Sequence, residues 1–289
     1  MTAVLIQSLI FVGIYGIQAL SLNLQYGLTG ILNFGQVLFF GVGAYSVAIV
    51  TNHGGPDWLG VVLAPIGGGI AALVIALPSA RLTQTFWALV SLGVASLFVA
   101  VMTNNASLAG GAQGVAGITL WSSTTLLIVA GVLIAIGIAC SERIRRSQFG
   151  RIIRTVREDA VLMSALGRSA PRVTVVVCAL SGAFGALSGV LYAHWITYVS
   201  PDAFGLSVTL VLFTMVILGG SGNPYGVVVG VAFVEAVMVG LQYLPLNIPG
   251  GDLAIIEQLV NGAILVVFLL FLNRGLVPER VRRYRLAAH

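Results

Sequence analysis

Nine apolar runs divide this chain, at 4–24, 31–51, 58–79, 84–102, 123–140, 172–194, 206–221, 225–243 and 257–273. A helix that crosses a hydrocarbon layer needs about 20 mostly apolar residues, because it must close its own backbone hydrogen bonds where no water can do so. Most of the runs approach that length. The short 206–221 run and the glycine-interrupted 31–51 run are the weakest, and each reads either as a span or as a re-entrant segment. Turn-forming stretches punctuate the series, Asn52-His53-Gly54-Gly55-Pro56-Asp57 and Ser221-Gly222-Asn223-Pro224 among them.

The composition agrees. Of the 289 residues 58% are hydrophobic and 8% charged, whereas a soluble domain carries about 25% charged residues. Together the runs and the composition predict an all-α, polytopic transmembrane helix bundle of about nine spans. It forms one membrane domain over residues 1–289, with a loop at 141–171 and a tail at 274–289 as its polar pieces. The first run lacks a basic segment before it, which argues against a cleaved signal peptide.

All 14 basic residues are arginine. Eight lie between Arg143 and Arg172, five between Arg274 and Arg285, and Arg81 stands alone between the third and fourth runs. With nine spans all three groups fall on one side, which the positive-inside rule makes cytoplasmic, so the N-terminus is expected outside and the C-terminus inside. The missing lysine excludes a P-loop, a Schiff base and a catalytic lysine from this chain. Cys140 and Cys178 lie in or beside apolar runs and read as packing residues rather than a disulfide.

The loop after Ser141 reads SERIRRSQFGRIIRTVREDAVLMSALGRSAPR. Ile152, Ile153, Val156 and Ala160 make an apolar stripe at helical spacing, while Arg151, Arg154 and Arg157 recur on another face. Such a helix reads as a solvated loop resting on the membrane domain, as a lipid-surface helix, or as an element docked in a groove of a cytoplasmic partner. Glu158 and Asp159 count against lipid, since anionic surfaces repel acids.

These residues carry a resemblance. GRIIRTVREDAVLMSALG, then LYAHWITYVSPDAF and VILGGSGNPYGVVVG, with LNLQYGLTGILNFGQVLFFGVGAYSVAI near the start, resemble the permease subunits of branched-chain amino acid ATP-binding-cassette (ABC) importers. The likeness is closer to the LivM type than to LivH and runs from about Leu20 to Leu272. It implies a heterodimer with a second permease subunit, two cytoplasmic ATPase subunits and an extracytoplasmic substrate-binding protein, in a bacterial inner membrane. It also implies that the loop couples to the ATPases through Arg151, Arg154, Arg157, Glu158, Asp159 and Gly167. Glu158-Asp159-Ala160 and Gly167 stand where importers carry an EAA-like motif, and Asp159 departs from the usual pattern there.

Polar and small residues inside the runs supply further candidates. Asn33 and Gln36, with Asn23, Gln25, Gly27, Gly30 and Gly35, read either as unwound backbone around a passing zwitterion or as a tight interhelical turn. Glu235 is the one carboxylate deep in a run, and such groups face a bundle interior or a water-filled path. Asn33, Gln36 and Glu235 are therefore candidate translocation-path residues. Ser181, Gly185 and Gly189, and likewise Gly226 and Gly230, recur every four residues and mark close helix packing. Gly67-Gly68-Gly69 and Gly219-Gly220 read as possible helix breaks. His194 and Trp195 read as members of an aromatic belt at the outer interface.

Several classes fall away. His53, His194 and His289 lie in unrelated segments without ligand-spaced partners, so no metal site and no cofactor are expected. The basic residues are explained by topology, so no nucleic acid is expected, only membrane lipid and the protein partners. No nucleophile–base constellation points to an enzyme, so catalytic residues are none and ATP hydrolysis belongs to other chains. Beside the branched-chain importer stand a related urea, amide or sugar ABC permease and, from another class, a stand-alone secondary transporter. The scarcity of deep acids weighs against the last.

Overall fold

The computed structural model describes residues 2–79, 82–158 and 169–242, and from 256 to 277 the positions 256, 259–260, 262–264, 266–267, 270 and 275–277. The described backbone is helical almost throughout. Its helices are α1 (Thr2–Leu22, continued as a π-helix over Asn23–Gly27), α2 (Gln36–Asn52), α3 (Asp57–Ser79), α4 (Gln84–Asn104), the single turn α5 (Ala106–Ala109), α6 (Ser123–Arg146), α7 (Gln148–Glu158), α8 (Ala170–Ile196), α9 (Leu206–Gly219) and α10 (Pro224–Gln242).

Among the described residues six helices are long and apolar enough to cross a membrane: Val4–Gly27, α3, α4, α6, α8 and Pro224–Leu241. The two weak runs give shorter helices. At 1.5 Å per residue α2 covers about 26 Å and α9 about 21 Å, less than the ~30 Å hydrocarbon layer. The ninth run, 257–273, falls largely outside the described residues.

Local chemistry sets the ends. Ser122 caps α6, its hydroxyl accepting from the Thr125 amide at 3.2 Å. At the other end Arg143, Arg145 and Arg146 fill the last turn, where cations suit the helix dipole. Glu142 ion-pairs with Arg145 at 2.7 Å and Arg146 at 2.8 Å, so this helix outruns its apolar stretch by six residues to Arg146.

Two corrections to the sequence reading concern glycine. Gly67–Gly69 lies inside the unbroken α3 rather than at a break, and the 31–51 run becomes helical only at Gln36, after a non-helical stretch from Gly30. Glycines in α3 serve contact instead. Gly68 packs against the Gly182 carbonyl of α8 and Gly43 of α2 against that of Ala186; a side chain at either would separate the helices.

The helices trade partners. α2 and α3 pack against each other and on α8, α9 and α10 pack against each other and on α1, and α1 and α8 meet in the middle. At one end of the bundle residues 105–122 fold back over α8. Val115–Ala116 (β1) pairs antiparallel with Tyr198–Val199 (β2), and Trp121 stacks on His194 at 4.1 Å. His194 is thus buried under its own chain, with Nδ1 2.8 Å from the Thr119 carbonyl, rather than lying in an interfacial belt. The opposite end gathers residues 23–30, the start of α4, α7, the α9–α10 turn and residues 275–277. Gln84 Nε2 donates to Gly30 O, and the Leu276 and Val277 amides donate to Leu218 O and Gly219 O at 2.8 and 3.1 Å.

Candidate functional site

Where α1 loosens into a π-helix it carries Asn23 and Gln25, both buried. Amide side chains at this depth must be saturated, because an unsatisfied polar group away from water costs several kcal/mol. Partners from three other segments meet most of that demand, while Asn23 Nδ2 and Gln36 Oε1 have none among the described residues. Gln25 Nε2 donates to Ser181 Oγ of α8 at 2.7 Å, and Gln25 Oε1 accepts from Asn33 Nδ2 at 2.8 Å. Asn33 Oδ1 in turn accepts from the Gly35 amide at 2.8 Å, which shapes the turn into α2.

One turn earlier Ser21 and Ser181 each donate to the other's carbonyl at 2.7 Å, and Gln36 Nε2 donates to Ser21 Oγ at 2.8 Å. Gln18 closes the network, donating to Gln36 O at 2.9 Å and accepting from Ser188 Oγ at 2.7 Å. From the far side the Gly222 amide, in the α9–α10 turn, donates to Asn23 Oδ1 at 2.8 Å. A side chain at Gly27 would stand 2.6 Å from that Gly222 amide nitrogen, so only glycine lets the turn approach.

α7 is seated on this break. Ile153, 0% exposed, packs with Leu24 and Leu28 of α1's end and Val177 of α8, flanked by Ile144, Phe149 and Val173. Arg157 Nη1 donates to Gly27 O at 2.8 Å, a carbonyl that a regular helix would have used itself. Gly30, at φ +76°, passes 3.1 Å from the Arg157 Cγ measured from where a Cβ would stand. A helix rich in arginine is thereby fastened to the point where α1 departs from α-helical geometry.

The sequence candidates are distributed as follows. Asn33 and Gln36 meet in the network. Arg157 touches it, Arg151 is exposed and Arg154 half-buried; Glu158 ends α7, and Asp159, Ala160 and Gly167 lie outside the described residues. Glu235 lies half-buried on α10, away from this network. Ser181, Gly185 and Gly189 line the face of α8 toward α1 and α2, Gly185 lying beside Ser21 and Gln18 and Gly189 beside Phe40 O. Gly226 packs on Gly219 and Gly230 on Met215 O, within the α9–α10 pair. Gln18, Ser21 and Ser188 escaped the sequence reading, as did Ser91 of α4, whose hydroxyl accepts from the Phe34 amide at 3.0 Å. Their signal was present: Gln18, Ser21 and Gln25 fall at i, i+3 and i+7, one polar stripe along α1.

A family model described as "Branched-chain amino acid transport system / permease component" matches residues 4–269. The chain belongs to this permease family. Among relatives, a probable branched-chain amino acid transport permease protein LivM of Methanocaldococcus jannaschii is 26% identical over 94% of this chain and 92% of its own length. The LivM protein of the high-affinity branched-chain amino acid transport system of Salmonella typhimurium is 26% identical over 92% of this chain and 68% of its own. The corresponding LivH of the same organism is 26% identical over 92% of each. The polar network and the docked α7 thus belong to a multi-pass membrane protein of a transport family.

Proposed function

We propose that this chain is one of two permease subunits in an ABC importer of the bacterial inner membrane. The importer takes up branched-chain or similar small amino acids handed over by an extracytoplasmic binding protein, and two cytoplasmic ATPases drive it. Relatives of both the LivM and the LivH kind support a paired permease. The chain crosses the membrane nine times with its N-terminus outside, so that the end bearing α7 and Ser221 faces the cytoplasm.

The observation that carries this reading is the seat of α7 on the α1 break, through Ile153 and the Arg157–Gly27 bond. When the ATPases close on ATP they displace α7. Its apolar side is locked to Leu24 and Leu28, so the displacement enters Asn23–Gly30 and spreads through Gln25 to α8, through Asn23 to the α9–α10 turn and through Ser21 to α2. Asn33 and Gln36 act in this scheme as the joint, the second of the two roles open to them; Glu235 stays a candidate for the path itself.

The test is uptake by the full transporter in a strain without its own leucine import. The triple variant Arg154→Ala, Arg157→Ala, Glu158→Ala inserts normally, loses uptake at least tenfold and copurifies less ATPase. Intact uptake with intact ATPase association refutes the coupling role. Orientation is read by cysteine labelling after Cys140→Ser: Ser221→Cys reacts only from the cytoplasmic side and Ser107→Cys only from outside, and the reverse pattern overturns the topology.

A further inference from the structure

The outward faces of α6 and α8 change character in the same way as they near α7. On α6 the exposed residues Val132, Ile136, Ala139, Arg143 and Arg146 recur at steps of four and three, one stripe that is apolar for two turns and then cationic. On α8 the order in the chain is reversed. The exposed Arg172 comes first, and Val176 and Leu180, 47% and 48% exposed, follow it at steps of four. Both helices are long and apolar enough to cross a membrane, so each stripe faces hydrocarbon along its apolar part and reaches the headgroup level at its arginine.

Between the two stripes lies a shallow notch. Ile144 of α6 and Leu180 of α8 are its outer members, and the buried Leu24, Ile153 and Val177 line it more deeply. Every lining residue is apolar, and its volume of about 10 Å³ admits a methylene of a chain lying across it but no ligand of its own. The cations beside it are unspent. Glu142 holds Arg145 and Arg146, whereas Arg143 and Arg172 are exposed and have no acidic partner among the described residues.

We propose that the two stripes and the notch between them bind one anionic glycerophospholipid. The guanidinium groups of Arg143 and Arg172 hold the headgroup phosphate from two helices, since their planar forks match phosphate oxygens, and one acyl chain runs down between the stripes over Ile144 and Leu180. Charge selects this occupant. Two unpaired cations at the edge of the hydrocarbon call for an anion, and the bilayer supplies one at that depth. A zwitterionic headgroup carries the same phosphate but offsets it with an amine. The bound chain covers the notch above Ile153, so the lipid lies against the contacts that seat α7. The site stands whether or not the protein imports amino acids.

The test places the full chain in nanodiscs of dioleoylphosphatidylcholine and labels Cys140 with bimane. Cys140 is exposed beside the α6 stripe, one turn before Arg143 and Ile144, while Cys178 is buried and stays unlabelled. Phosphatidylglycerol with brominated chains is then compared, as a quencher, with phosphatidylcholine bearing the same chains. Phosphatidylglycerol associates about tenfold more tightly, the worth of two arginines beside an anionic headgroup after screening by salt. Arg143→Gln with Arg172→Gln brings the two lipids to parity. Arg151→Gln, which removes an exposed arginine of α7 outside both stripes, leaves the preference in place. Should the double variant fail to insert, either single substitution lowers the preference about threefold. Equal quenching by the two lipids in the wild-type chain means unselective boundary lipid, and quenching by neither means a face covered by protein. A preference that Arg151→Gln lowers as far as the double variant does means a diffuse field of the whole arginine cluster. Each of these three results overturns the proposal.

Discussion

The stretches between α1 and α2 and between α8 and α9 both leave regular helix, and opposite chemistries hold the two interruptions. The first is bonded by amides and hydroxyls, with Gln18, Ser21, Asn23, Gln25, Asn33 and Gln36 all buried. The second is packed. Thr197, in left-handed conformation at φ 60°, turns the chain out of α8, β2 fastens it to β1, and Phe204 then plunges among Phe40, Tyr45 and Tyr192 with ring centroids at 5.6, 5.8 and 6.2 Å. Hydrogen bonds are directional and have discrete alternatives, whereas aromatic packing tolerates small slides but not voids. The arginine-bearing helix is fastened to the joint of the first kind, the one able to exchange partners as a switch must.

The largest effect should come from emptying the packed joint. Phe204→Ala leaves a cavity among three aromatic rings and costs about 3 kcal/mol of stability, read as a fall in melting temperature of the detergent-solubilised protein. Phe204→Leu, which keeps most of the volume, costs under ~1.5 kcal/mol. Equal losses for the two would mean that ring geometry, rather than volume, holds the second interruption, and the contrast between the joints would weaken.

Much of the architecture was legible because hydropathy reports length. The runs 58–79, 84–102, 123–140 and 172–194 each lie within or close to a helix of the structure, and the two runs flagged as weak are the two that came out short. What hydropathy cannot report is how a helix is used once buried. Gly67-Gly68-Gly69 read as a break because glycine weakens helices in water. At membrane depth the backbone has no water to turn to, so the helix persists and the bare backbone serves the close approach to Gly182. At 23–27 the sequence reading already had Asn23, Gln25 and Gly27 in unwound backbone or a tight turn; that the chain continues there as a π-helix follows from Asn23 and Gln25 finding partners nearly 200 and 156 residues away. The loop's apolar stripe left open a helix resting on the membrane domain, one on the lipid surface and one docked in a partner; Ile153 rests on the membrane domain, and that Arg157 would grip Gly27 O depended on α1 leaving that carbonyl unused.

The bonded joint breaks differently, and a substitution of nearly equal size exposes the difference. Gln25→Leu keeps the volume but deletes the donor to Ser181 and the acceptor for Asn33. Ser181 retains its bonds with Ser21, so most of the penalty falls on the Asn33 amide, left buried without that acceptor. The expected cost is about 2 kcal/mol, smaller than emptying the site of Phe204 yet larger than the volume-conserving Phe204→Leu. In the membrane the unfolded reference also finds polar partners, which holds the figure at this level rather than higher. The sharper readout is uptake. If directional bonds carry movement from α7 to α8, Gln25→Leu lowers transport more than Phe204→Leu does at matched amounts of inserted protein, while Gln25→Glu at low pH, protonated and able again to donate to Ser181, recovers part of it. Equal transport by Gln25→Leu and Phe204→Leu would show that both interruptions are passive joints, and that the route from the arginine helix into the bundle runs through the Ile153 contacts alone.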